Sequence, residues 1–270
     1  MVKALSEITH NTRVKTYPDG SQDILIASSP VFREKGWEQA DKWEKDSRST
    51  DRKKSFGDVP RAKRRARAAV RDLALCNDFS YFVTLTLSAE RVSRYDMGEV
   101  VRKLNTWADN RVRRNGLVYV LVPELHQDGA IHFHGFFNDA LRVVDSGTMI
   151  PPTGGKPRRP RSEAQRAEWA AEGGHMVYNL PDWSLGFSTA IELYGTRRAA
   201  VGYVCKYITK SLTKIGGRWY YSGGKLIRPT VELDDVEPDG VDFWGEDSFG
   251  TEGLNCRFVS LHVENSVEKG

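Results

Sequence analysis

The sequence predicts an α+β fold in which an antiparallel sheet carries helices on one face. Three observations predict it. Tyr81–Leu87 and Ile131–Phe137 are short runs rich in β-branched and aromatic residues, bounded by turn-forming residues. Met97–Arg114 instead sets Val100, Val101, Leu104 and Trp107 at helical spacing. The elements then follow in the order strand, helix, strand, strand, long connection, strand, helix, and 270 residues suffice to bury their core.

Along the chain, Arg13–Ser28 alternates around Pro18-Asp19-Gly20 and is expected to form a hairpin outside that core. Lys35–Ser55 is polar and charged, a helix or a mobile linker. These stretches make residues 1–60 an N-terminal extension. Arg61–Arg71 places six cations and no acid on a strong helix former: Arg61, Lys63, Arg64, Arg65, Arg67 and Arg71. Tyr81–Leu87 is a buried-type strand with Thr84 and Thr86 on one face. The helix from Met97 stops at Asn115-Gly116. Val118–His126 and Ile131–Phe137 form a hairpin. A long interruption from Asn138 to Asp182 holds the basic loop Pro151–Pro160 and a short helix-like stretch around Glu163–Glu172. Phe187–Leu193 resumes the sheet, Arg197–Leu212 is the last core helix, and Arg218–Ser222 is strand-like. Residues 61–228 thus compose the main domain, in a ferredoxin-like arrangement. Residues 229–270 are an acidic tail that Trp244 and Phe249 are expected to dock.

Charge separates along the same boundaries. From Thr230 onward, eleven acidic residues face only Arg257 and Lys269, so a net charge of +4 conceals a strongly basic body of 229 residues. Such a body suits a polyanion, because lysine and arginine release counterions from phosphates. No apolar run of about 18 residues exists to span a bilayer. Cys76, Cys205 and Cys256 are scattered and compose neither a disulfide framework nor a C-x-x-C knuckle. With no signal-peptide core at Met1–His10, a cytoplasmic protein without membrane partners is expected.

The segment Glu124-Leu-His-Gln-Asp-Gly-Ala-Ile-His-Phe-His134 concentrates three of the six histidines, the others being His10, His175 and His262. On a strand His132 and His134 share a face, as do Glu124 and His126. Turn length decides whether those faces coincide. A two-residue Asp128-Gly129 turn sets Leu125 against His132 and scatters the donors. A three-residue loop with Gly129 left-handed sets Glu124 opposite His132 and His126 opposite Ala130, gathering one carboxylate and two or three imidazoles around a divalent ion.

A second constellation lies on the last helix, Tyr203-Val-Cys-Lys206-Tyr207-Ile-Thr-Lys210. Tyr203 and Tyr207 stand one turn apart on one face, and Lys206 and Lys210 repeat that spacing. Phenols beside ammonium groups suit phosphodiester cleavage by tyrosine, with a metal and a lysine neutralising charge on the phosphoryl oxygens.

Phe82-Val-Thr84-Leu-Thr86, then His132-Phe-His134, then the tyrosine segment together resemble the three motifs of the HUH superfamily of rolling-circle replication initiators, over roughly residues 61–228. The stretch E-L-H-x-x-G-x-x-H-x-H is similar to the metal motif of geminivirus Rep proteins. That resemblance implies Glu124, His132 and His134 as ligands of Mg²⁺ or Mn²⁺, with His126 a bystander or substitute. The paired tyrosines resemble those of initiators of small single-stranded DNA phages and related transposases, and the layout is most similar to phage and prophage replication-associated proteins. It implies site-specific nicking and joining of single-stranded or hairpin origin DNA through a 5′-phosphotyrosine, in a bacterial host, alongside host polymerase and helicase. Tyr203, nearer the helix start, is assigned the first cut, and Tyr207 is the second nucleophile or a packing neighbour. Thr84, Thr86, Arg61, Lys63, Arg64, Arg65 and Arg67 are expected to contact DNA. No G-x-x-x-x-G-K-[ST] loop is present, and ATP is not needed because the phosphotyrosine conserves the energy of the broken diester. A single-strand HUH transposase, or a non-catalytic nucleic-acid-binding module with a structural zinc site, are the alternatives.

Overall fold

Strand alternation in the middle of the chain resolves into a seven-stranded sheet in which every neighbouring pair is antiparallel. The computed structural model describes residues 9–33, 58–126, 128–193, 214–244, 247–251 and 254–261. Their elements are β1 (Thr9–His10), β2 (Thr12–Thr16), β3 (Gln22–Ala27), β4 (Phe32–Arg33), α1 (Asp58–Cys76), β5 (Tyr81–Leu87), α2 (Met97–Asn115), β6 (Tyr119–Leu125), β7 (Ile131–Phe137) and β8 (Val144–Ile150). There follow α3 (Glu163–Ala171), β9 (His175–Asn179), β10 (Gly186–Glu192), β11 (Tyr221–Gly223), β12 (Thr230–Asp234), β13 (Ser248–Thr251) and β14 (Leu254–Leu261). Two units result, one drawn from residues before 56 and after 227 and one from the stretch between them.

In the larger unit the sheet order is β11-β6-β7-β5-β10-β9-β8. One face of the central strands is buried: Val83, Leu85, Leu121, Phe133 and Phe137 join Val100, Leu104 and Trp107 of α2 in a single apolar cluster. The helix begins where the Asp96 carboxylate accepts the N–H groups of Gly98 and Glu99 at 2.9 and 3.1 Å, and ends at the left-handed Gly116. Trp107 anchors it, stacking on Phe137 and donating its indole N–H to the Asp182 carbonyl at 2.6 Å. In α1, Ala66, Val70, Leu73 and Ala74 form a buried stripe at helical spacing, with Arg64, Arg65 and Arg67 exposed. That helix contacts β6, yet Val70 and Leu73 lie outside the cluster under α2. The α+β class and the antiparallel sheet therefore agree with the sequence reading.

The stretch from Asn138 to Asp182 is more than an interruption. It supplies α3 and the strand pair β8 and β9, whose register slips at a bulge between Asp145 and Thr148. In the smaller unit, β2 and β3 form the hairpin expected around Pro18-Asp19-Gly20, and the sheet order is β12-β2-β3-β14-β13. Strands from both ends of the chain thus pair in one sheet. Trp244 is exposed.

Candidate functional site

The β6–β7 hairpin sets the geometry of the polar sheet face. Its register pairs Glu124 with His132 and Val122 with His134, and the His126 N–H donates to the Ala130 carbonyl at 2.8 Å. The loop is therefore three residues long, closed at Gly129 with φ +81°. Asp128 stabilises it by accepting the Ala130 N–H at 3.0 Å, and the Arg94 guanidinium approaches the other carboxylate oxygen at 3.9 Å. On the far side of β7, β5 places Thr84 opposite His134 and Thr86 opposite His132. Directly opposed residues of an antiparallel pair share a side of the sheet. Glu124, His132, His134, Thr84 and Thr86 consequently face one way, away from the cluster under α2.

His134 is the fixed member. It is 9% exposed, its Nε2 lies 3.0 Å from Glu124 Oε2, its Nδ1 lies 3.1 Å from Thr84 Oγ1, and its ring stacks on Phe82. A threonine hydroxyl on one ring nitrogen selects the tautomer and aims the other nitrogen. Gly135 next to it was not anticipated: a Cβ there would stand 1.9 Å from the Val120 carbonyl oxygen, so the neighbouring backbone demands glycine. Trp183, also unforeseen, donates its indole N–H to the Thr86 carbonyl at 3.1 Å and ties this row to the core.

His132 is held differently. Its ring stacks on His126 with centroids 4.9 Å apart, and burial, followed by repulsion from His126, lowers its pKa from the ordinary imidazole value. A neutral ring with a free lone pair is what a metal needs. Among the described residues, no three His, Cys, Asp or Glu side chains stand close enough to hold an ion. Glu124 and His134 already touch, and His132 would have to swing off His126 to join them. The donor types, one carboxylate and imidazoles, fit a divalent cation.

Residues 80–212 match the family model of the replication-associated protein ORF2. The match takes in β5 to β10 and extends over the segment that holds both tyrosines. No curated protein and no solved structure matches the chain. Tyr203, Lys206, Tyr207 and Lys210 lie outside the described residues. Of the basic arm, Lys63 sits over the Trp219 ring at 5.3 Å, Arg64, Arg65 and Arg67 are exposed, and Arg61 lies on α1. Among the described residues no helix is long and apolar enough to cross a membrane.

Proposed function

We propose that this chain initiates rolling-circle replication by nicking and rejoining single-stranded origin DNA through a tyrosine. The observation that carries the reading is the hairpin register, which brings Glu124 opposite His132 and sets His134 against Glu124 on one face. The likeness of residues 80–212 to replication-associated proteins supports the biological setting.

In this reading Glu124, His132 and His134 hold Mg²⁺ or Mn²⁺, and Thr84 keeps the His134 ring aimed at the ion. The bound metal supplies positive charge against the phosphoryl oxygens. The Tyr203 hydroxyl attacks phosphorus, its proton passing to solvent or a basic side chain. The new bond joins the phenolic oxygen to the 5′-phosphate as the bond to O3′ breaks, and the departing O3′ takes a proton to become a 3′-hydroxyl. Lys206 and Lys210 offset the negative charge that develops. Tyr207, or the returning 3′-hydroxyl, reverses the step. The exposed cations of α1 hold the strand through phosphates.

The test is cleavage of labelled single-stranded oligonucleotides from the element's own intergenic DNA, with and without Mn²⁺. His132→Ala and His134→Ala are expected to abolish Mn²⁺-dependent cleavage while much of the DNA affinity survives. Full cleavage by both variants would remove this face from the mechanism.

A further inference from the structure

One row of the polar face extends beyond the residues the reaction uses. β10 pairs with β5 so that Phe187 lies directly opposite Thr86, just as Thr86 lies opposite His132 and His132 opposite Glu124. Four adjacent strands therefore present Glu124, His132, Thr86 and Phe187 in line on one side of the sheet. Phe187 is 75% exposed, and no aromatic partner covers its ring among the described residues. A scattered apolar residue on a surface is ordinary. An uncovered phenyl ring at the end of a row of metal-ligand candidates is placed for a flat apolar ligand. Two strand spacings separate it from His132, about 10 Å. At the turn end, the Arg94 guanidinium is near enough to contribute to the lowered pKa of His132 and lies over the Tyr95 ring at 5.5 Å. A cation at one end of the row and an aromatic face at the other match a phosphate and its neighbouring base.

We propose that Phe187 is a stacking platform that receives a nucleobase of single-stranded DNA beside the phosphate gripped at Glu124, His132 and His134. The inference rests on the strand-cleavage reading above and names the contact that would distinguish a single strand from a duplex. In a duplex the bases are paired and stacked on each other, so their faces cannot meet the ring. In a single strand every base has a π-face to offer, which makes the contact tolerant of sequence.

The experiment is fluorescence anisotropy of labelled oligo(dT) and of a mixed-sequence duplex with the full chain in EDTA, so that binding is read without cleavage. Phe187→Ala is expected to bind oligo(dT) about tenfold more weakly, the loss from one base–aromatic stack. Its duplex affinity and the salt dependence of binding should stay unchanged, because no charge is removed. Phe187→Trp should restore oligo(dT) affinity and show indole fluorescence quenched by the oligonucleotide. Wild-type affinity in Phe187→Ala, or an equal loss on both DNAs, would overturn the proposal. So would an altered sedimentation coefficient with unaltered oligo(dT) affinity, which would assign the ring to a contact between copies of the chain. Selective loss of oligo(dT) affinity in a protein that never nicks DNA keeps the platform and removes the cleavage reading; nicking intact with unaltered oligo(dT) affinity does the reverse.

Discussion

Strands β5, β6 and β7 have two faces that share the same backbone ladder and serve opposite purposes. On one, Val83, Leu85, Leu121, Phe133 and Phe137 are packed under α2 and contribute to stability. On the other, Thr84, Thr86, Glu124, His132 and His134 are polar groups collected from three strands. Because side chains alternate, each ligand candidate is flanked by residues locked in the core, and their packing holds its backbone in place. A slip of one residue in either pairing would exchange the two faces. Rigidity is made on one side and used on the other. The same contrast recurs within the polar face, where His134 is fixed by Thr84, Phe82 and Glu124 whereas His132 leans on exposed His126.

The largest effect should come from breaking the backbone that both faces share. Gly135→Ala forces a Cβ against the Val120 carbonyl, so β6 and β7 must part. We expect little folded protein by circular dichroism and no cleavage. Phe133→Ala strikes the packed face alone and should cost about 3–5 kcal/mol in urea denaturation. Wild-type stability there would mean that the apolar face does not support the polar one.

Thr84→Val sharpens the comparison from the other side. It removes the hydroxyl from His134 Nδ1 while keeping a similar shape, so Mn²⁺ affinity by titration calorimetry should fall about 10–100-fold, as losses of a ligand's hydrogen-bond partner do. Stability should change far less than in Phe133→Ala. Unchanged metal affinity would limit Thr84 to a surface role.

The smallest effect on chemistry is expected off the sheet. Neutralising Arg64, Arg65 and Arg67 should weaken DNA binding and flatten its salt dependence, while single-turnover cleavage of the saturated complex stays near the wild-type rate. An unchanged salt slope would return α1 to an ordinary solvated face.

The polar face was legible because strand parity is a local property. Tyr81–Leu87 and Ile131–Phe137 were bounded correctly, and Gly129 marked the turn that set Glu124 against His132. Long-range pairing was not legible. β12 and β14 join β2 and β3 across some two hundred residues, and no local pattern announces a partner so distant. β8 escaped notice because Gly147, at φ +73°, and the bulge beside it break the alternation. In the site, the Thr84 hydroxyl on His134 and the stacking of His126 on His132 depend on rotamers, which spacing alone does not disclose. Phe187 read as one more apolar strand residue until the register put it in line with His132.

The central claim, that this face drives cleavage through a tyrosine on the segment from Tyr203 to Lys210, is tested most directly by mapping the covalent adduct. A labelled single-stranded oligonucleotide is incubated with the protein and Mn²⁺, and the modified peptide is identified by mass spectrometry. The account predicts a phosphotyrosine at Tyr203 in wild type, a shift to Tyr207 in Tyr203→Phe where Tyr207 is the second nucleophile, and no adduct in the double Phe variant or in His134→Ala. An adduct that persists in the double Phe variant, or cleavage that leaves the protein unmodified, would contradict it.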